Sequence, residues 1–176
     1  MRTFLFLVLL PISLILQSQK REISKTLVDS IKVDVWIPFM ESYAELDSEK
    51  LKSIHTTDIF RVTTDNNTVK SGLPYLDEFG GFLNQVEKDG GQLGIAFSLL
   101  TTAINDIGDL VYQTGYYEFS SKNKNDENLV VRGYGKFNIG LRKIDGTWKL
   151  FLDVDKRIDI SKNEFENQKI VYRLGK

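Results

Sequence analysis

Proton transfer is the chemistry that the side chains of this sequence are equipped to attempt. His55 is the only histidine, Tyr43 precedes it and Asp58 follows close behind. These three are the candidate catalytic residues, because general acid–base work needs a group poised near ambient pH beside a hydroxyl or carboxyl partner. Each also has a plain structural reading. His55 follows an apolar helical pattern and can point at the last helix carbonyls. Asp58 can hold backbone N–H groups in a turn. Tyr43 can be a core aromatic whose hydroxyl reaches the rim. The sequence has no cysteine, which excludes disulfides, thiolate metal sites, a cysteine nucleophile and a lipid-modified cysteine. One histidine is too few for a zinc or iron site built on imidazoles, so neither a metal nor a cofactor is expected. With a net charge of −1 and no basic stripe interleaved with aromatics, nucleic acid is not expected as a partner.

Whether Asp153 and Asp155 can join these candidates turns on one hairpin. Residues 136–155, KFNIGLRKIDGTWKLFLDVD, read as two strands joined by an Asp145-Gly146 turn of the type I′ kind. Ile144 then pairs with Thr147 and Leu141 with Leu150. Continued without interruption, the ladder sets Ile139 opposite Leu152, Phe137 opposite Val154, Asn138 opposite Asp153 and Lys136 opposite Asp155. In that register Trp148, Leu150, Leu152 and Val154 share the apolar face, and both aspartates face away from it. Only a β-bulge would turn them inward, since a slip of one residue exchanges the faces.

The remaining elements follow from periodicity. The chain has 176 residues, 41% hydrophobic and 27% charged, the profile of one globular domain. Ile23, Leu27, Ile31, Val35, Phe39, Met40 and Tyr43 recur at helical spacing, interrupted by Pro38, which either kinks one helix or opens a second. Residues 31–35 also alternate like a strand. Asp47 caps a short helix, residues 59–63 read as a strand, Asp65-Asn66-Asn67 as a turn, and Val69 opens a brief second strand. Pro74 opens a helix carrying Tyr75, Phe79, Phe82, Leu83 and Val86 on one face. From Leu93 onward strands dominate, ending near Arg157 ahead of a polar tail. Helices first and an antiparallel meander second make an α+β domain. The strand around residues 110–119 is apolar or aromatic on both faces, so its second face needs cover from the tail or from another copy of the chain. A homodimer through the sheet is expected.

At the N-terminus, Arg2 is followed by an almost wholly apolar run from Phe4 to Leu16 and then by Lys20-Arg21-Glu22. This is the pattern of a signal peptide over residues 1–18, too short to favour a membrane-spanning helix, with an uncleaved N-terminal anchor as the alternative. Export to the periplasm or the exterior is expected, with no stable membrane insertion after cleavage. The domain would then cover residues 22–157 and a C-terminal extension residues 158–176.

Several groups of residues together resemble a known superfamily. In the helical half they are Val35-Trp36-Ile37-Pro38-Phe39, Tyr43, Leu46-Asp47, Lys50-Leu51, Ile54-His55, Asp58, Arg61-Val62 and Gly72. In the sheet half they are Gly115-Tyr116-Tyr117, Gly135-Lys136-Phe137, Leu141-Arg142-Lys143, Asp145-Gly146-Thr147-Trp148-Lys149-Leu150 and Asp153. The chain looks like a SnoaL-like, nuclear transport factor two-like protein, of the bacterial exported branch with no assigned function. The resemblance implies a cone: a curved antiparallel sheet wrapped on N-terminal helices, as in a ketosteroid-isomerase-like roll, with a cavity at the wide end. It implies a cavity lined by Trp36, Phe39, Tyr43, His55, Phe60, Phe79, Tyr112 and Trp148, although aromatics at such spacing can equally be core. With the aspartates facing away, the residues favour a non-catalytic domain that binds a small apolar or amphipathic ligand. The alternatives are an isomerase or lyase working by proton transfer, and a homodimerisation module that fills its own cone.

Overall fold

The computed structural model describes residues 22–124 and 126–175. The expected signal peptide, residues 1–18, lies outside the described residues. Helix α1 (Lys25–Ile31) is capped by Ser24, whose hydroxyl accepts from the Leu27 amide. It runs without a break into a π-helical segment, Lys32–Trp36, and then into α2 (Ile37–Glu45). Pro38 explains the interruption: it brings no amide, so the chain widens by a turn just before it instead of stopping. The outcome is one continuous helix, and the strand-like alternation of residues 31–35 is overridden by burial of Ile31, Val35 and Trp36. Asp47 caps α3 (Ser48–Ser53) by accepting from the Lys50 amide. Helix α4 (Gly72–Lys88) begins two residues before Pro74.

The sheet has seven strands: β1 (His55–Thr63), β2 (Thr68–Ser71), β3 (Gln92–Ile104), β4 (Leu110–Lys122), β5 (Val130–Ile144), β6 (Thr147–Ile158) and β7 (Ile170–Tyr172). Their spatial order is β2-β1-β6-β5-β4-β3-β7. The sheet is mixed, not wholly antiparallel as expected, because β1 lies parallel to β6 while every other pair is antiparallel. A meander of hairpins cannot supply that contact; it needs the long connection through α4 and the rest of the sheet. The helices cover the inner face, and Trp36, Met40, Leu51, Ile59, Leu83, Leu141, Trp148 and Leu150 form the centre of the core.

The hairpin register departs from the uninterrupted ladder. Ile144 pairs with Thr147 and Leu141 with Leu150, but Gly140 pairs with Leu152, leaving Phe151 as the extra residue of a β-bulge. Beyond it Ile139 faces Asp153 and Phe137 faces Asp155, so both aspartates turn inward and Leu152 and Val154 turn outward. Gly140 makes room for this: a Cβ there would lie 2.7 Å from the Phe151 ring. The ring in turn sits under the Arg142 guanidinium, 4.7 Å away. A glycine inside a strand is a recognised bulge signal.

The tail is structured. Strand β7 pairs with β3, and α5 (Lys162–Glu166) buries Phe165 against the Tyr134 ring. Arg173 bridges Glu118 at 2.6 Å and Glu166 at 2.7 Å. The tail thus covers part of the outer face of β4, as one of the two expected covers, while Tyr112 stays exposed. Among the described residues no helix is long and apolar enough to cross a membrane.

Candidate functional site: an aromatic cavity with a buried Asp–Arg–Asp cluster

Between the helices and the inner sheet face lies an open cavity of about 400 Å³, within the range of small-molecule sites. Its walls are aromatic. Trp36 and Phe39 come from the π-helix and α2, Phe79 and Phe82 from α4, Phe97 from β3, Phe119 from β4 and Phe137 from β5. The Trp36 ring lies 4.5 Å from Phe97 and 5.2 Å from Phe137, and Phe39 meets Phe97 edge-on at 5.2 Å. Glycines set the depth of this wall. A Cβ at Gly135 would strike the Tyr117 ring, and one at Gly115 would strike Phe137.

One part of the wall is ionic. Arg61 on β1 is level with Asp153 on β6 in the parallel pair. Its guanidinium bonds the Asp153 carboxylate through Nη1 and the Asp155 carboxylate through Nη2 at 2.7 Å. Asp155 Oδ2 also accepts from the Tyr117 hydroxyl at 3.3 Å. Asp155 Oδ1 is buried and accepts no hydrogen bond from any described residue. Burial pushes the Asp155 carboxyl above the ordinary carboxylate range, against the pull of Arg61 and with the help of Asp153. Burial opposes the charge on Arg61, but Asp153 and then Asp155 outweigh it and hold the guanidinium firmly protonated. The phenols of Tyr43 and Tyr117 are raised by burial, Tyr117 to about 12, so both remain donors at neutral pH.

Of the residues expected to line the cavity, Trp36, Phe39, Tyr43 and Phe79 stand on its wall. The other four do not. Phe60 and Tyr112 point to the outer face, 46% and 44% exposed, because each sits one step out of phase with an inward neighbour on its strand; the Tyr112 hydroxyl donates to Asn138. Trp148 is core, its indole N–H donating to Ser30. His55 is buried behind the wall, with Nδ1 2.7 Å from the Leu51 carbonyl, as the helix-end reading describes. Asp58 is exposed and pairs with Arg142 at 3.2 Å. Tyr43 is therefore the one catalytic candidate of the three on the cavity wall. The sequence reading turned Asp153 and Asp155 away from the site and gave Arg61 no role in it. The signal that could have found the aspartates is Gly140. Among the described residues no cluster suited to a metal ion occurs.

His55 makes a pH prediction. Burial lowers its pKa to about 4, against about 6.5 in the unfolded chain. The stability it protects is complete above about 6.5 and is lost as pH falls towards about 4, because the unfolded chain then takes up a proton that the folded chain refuses. That loss is about 3 kcal/mol. Asp155 acts oppositely, favouring the fold at low pH and losing that contribution as pH rises through its raised pKa. The difference between proteins isolates the histidine: between neutral and acidic pH, the urea midpoint of the wild type should fall further than that of His55→Gln.

No protein-family model matches the chain, and no curated protein matches it by sequence. Solved structures do match in three dimensions. Aln2 from a Streptomyces species superposes with a TM-score of 0.65 at 18% identity, covering 78% of this chain and 94% of its own. A ketosteroid isomerase-like protein from Erwinia carotovora atroseptica gives 0.56 at 15% identity, covering 78% of this chain and 100% of its own. An NTF2-like protein with a cystatin-like fold from Novosphingobium aromaticivorans gives 0.56 at 11% identity, covering 77% and 84%. At these identities the likeness is one of fold, and it agrees with the helix-wrapped curved sheet: this chain has the cystatin-like fold of the nuclear transport factor two-like proteins.

Proposed function

We propose that the cavity takes a small, largely apolar carbonyl compound and moves a proton on it, in an isomerase or lyase reaction with Asp155 as the general base. The observation that carries this reading is Asp155, a largely buried carboxylate on the wall of an aromatic cavity, whose Oδ1 has no hydrogen-bond partner among the described residues. A carboxylate with a raised pKa is a better base than an ordinary one, and the surrounding rings keep it from being levelled by water. In the reaction, the C–H beside the carbonyl loses its proton to the Asp155 carboxylate, and the electron pair moves onto the carbonyl oxygen. Tyr43 is the hydroxyl able to steady the resulting oxyanion, because Tyr117 already gives its one proton to Asp155 Oδ2. Arg61 and Tyr117 both hold Asp155 by Oδ2 and so fix the carboxylate against the cavity wall. The ketosteroid isomerase-like neighbour is consistent with proton-transfer chemistry on this fold.

The reading is tested by following loss of the hydrogens beside the carbonyl of small aryl ketones in D₂O by proton NMR. The wild type should accelerate the exchange, and Asp155→Asn should slow it about 100-fold, the low end for a general base. Exchange at the wild-type rate in Asp155→Asn would refute it. Binding without turnover is the second reading, favoured by the open aromatic cavity; that open space also counts against a cone filled by its own side chains. Export and pairing of two copies through the outer face around Tyr112 remain part of the proposal. They are supported by the sequence of residues 1–18 and by the exposed aromatic, and native mass spectrometry of the exported protein reads both.

A further inference from the structure

The cavity is charged in two zones. Inside, the Arg61 cation lies between Asp153 and Asp155, whose side chains are 9% and 14% exposed. At the rim stand Arg132 of β5 and Arg157 of β6, both exposed and both lining the same cavity. On β6 the inward face runs Asp153, Asp155, Arg157, each about 7 Å from the next along the strand. The bulge at Phe151 fixes this phase, so the device that turns the aspartates inward also brings Arg157 to the opening. Arg132 spends part of its charge on Asp126 at 3.2 Å and on Ser121. Arg157 has no carboxylate on its guanidinium among the described residues; Asp65 takes its backbone amide instead. Its charge is felt at the Tyr117 phenol, which it lowers against the effect of burial. The opening is therefore cationic, with an apolar interior and a base one step further in.

We infer that the substrate is an anion, a small apolar carbonyl compound that also carries a carboxylate. The carboxylate would be held at the rim by Arg157 with Arg132, and the carbonyl end directed towards Asp155. The inference rests on the proton-transfer reading for the role of Asp155, but the anion preference is separable from it. A guanidinium matches a carboxylate with two parallel N–H donors, and the aromatic interior takes the apolar body. A cationic amphiphile would have to pass or face two arginines, an arrangement that selects against it.

The test uses 3-benzoylpropionate and its methyl ester, which share an aryl ketone and differ in charge. Binding to the purified protein is measured by calorimetry, and exchange of the hydrogens beside the ketone by NMR in D₂O. The acid should bind at least about tenfold more tightly than the ester. Arg157→Gln should bring the acid down to the ester's affinity, and Arg157→Lys should restore part of the difference. The residue is exposed, so neither variant should disturb folding. Equal affinity for acid and ester, an equal loss of both in Arg157→Gln, or no binding of either probe would overturn the inference. Selective, Arg157-dependent binding with exchange that ignores Asp155→Asn would uphold the anion preference and sink the proton-transfer reading. Asp155-dependent exchange of acid and ester alike would do the reverse.

Discussion

Replacing Arg61 by methionine is expected to cost about 3–5 kcal/mol of stability at neutral pH, the range for a buried ion pair that loses one partner. The side chain of Arg61 is 18% exposed and touches two carboxylates that are themselves largely buried. Methionine fills the volume but leaves Asp153 and Asp155 side by side with no counter-charge. The Asp155 carboxyl, already raised by burial, loses the opposing pull of Arg61, and a group raised in the folded state stabilises the fold below its unfolded pKa and loses that contribution as pH rises through the folded one. The deficit should therefore shrink in mildly acidic solution. Adding Asp153→Asn and Asp155→Asn to Arg61→Met should recover most of the loss, since the cost comes from uncompensated charge. Urea midpoints at neutral and mildly acidic pH read both effects. A deficit that does not change with pH would mean that packing, not charge, is what Arg61 supplies. The loss is a large fraction of the roughly 5–15 kcal/mol that holds a domain together, so activity assays on this variant need the fold checked first.

Gly115→Ala is the second large effect. The added methyl would be driven into the Ser98 carbonyl oxygen on β3 and into the Phe137 ring. Phe137 can turn, but the carbonyl is part of the β3–β4 ladder and cannot yield without opening it. A cost of about 3 kcal/mol is expected, at the upper end for overpacking. Pairing the change with Phe137→Leu should relieve the ring and recover only part. Gly81→Ala supplies the contrast: nothing lies within 4 Å of its Cβ position, it sits inside α4, and alanine should stabilise that helix by up to about 1 kcal/mol. Equal effects at the two glycines would show that backbone entropy, not space, decides.

These two sites mark what the sequence could and could not reveal. Periodicity and turn chemistry were enough for the helix–sheet order, for the Asp145-Gly146 turn and for the pairing of Leu141 with Leu150, because each rests on neighbours along the chain. The site was less legible. Its acids depend on the phase of β6 beyond Phe151, and phase is lost by a single unpaired residue. Apolar alternation favoured Leu152 and Val154 inside; the ion pair with Arg61 and the room left by Gly140 favoured the aspartates. Arg61 arrives from β1, far away in sequence, so no local pattern could have tied it to Asp153. Phe60 and Tyr112 show the same weakness: an aromatic in a strand points inward or outward by parity alone, and parity is what bulges change. Trp36, Phe39 and Phe79 were easier, because each stands on the apolar stripe of a helix, the first two on the helix that contains the π segment and Phe79 on α4, where no β-bulge can exchange the faces.

The parallel contact of β1 with β6 has a consequence in time. Strands β3 to β6 follow one another as hairpins and can pair over short loops, whereas Arg61 and Asp153 are 92 residues apart in sequence. Closing so long a loop is entropically expensive and is rewarded only after the meander exists. The ionic cluster is therefore assembled on the native side of the folding barrier, after two aspartates have already been committed to an apolar face. A bond made that late is felt when the chain comes apart: Arg61 should act as a latch, setting how long the folded protein lasts more than how quickly it forms.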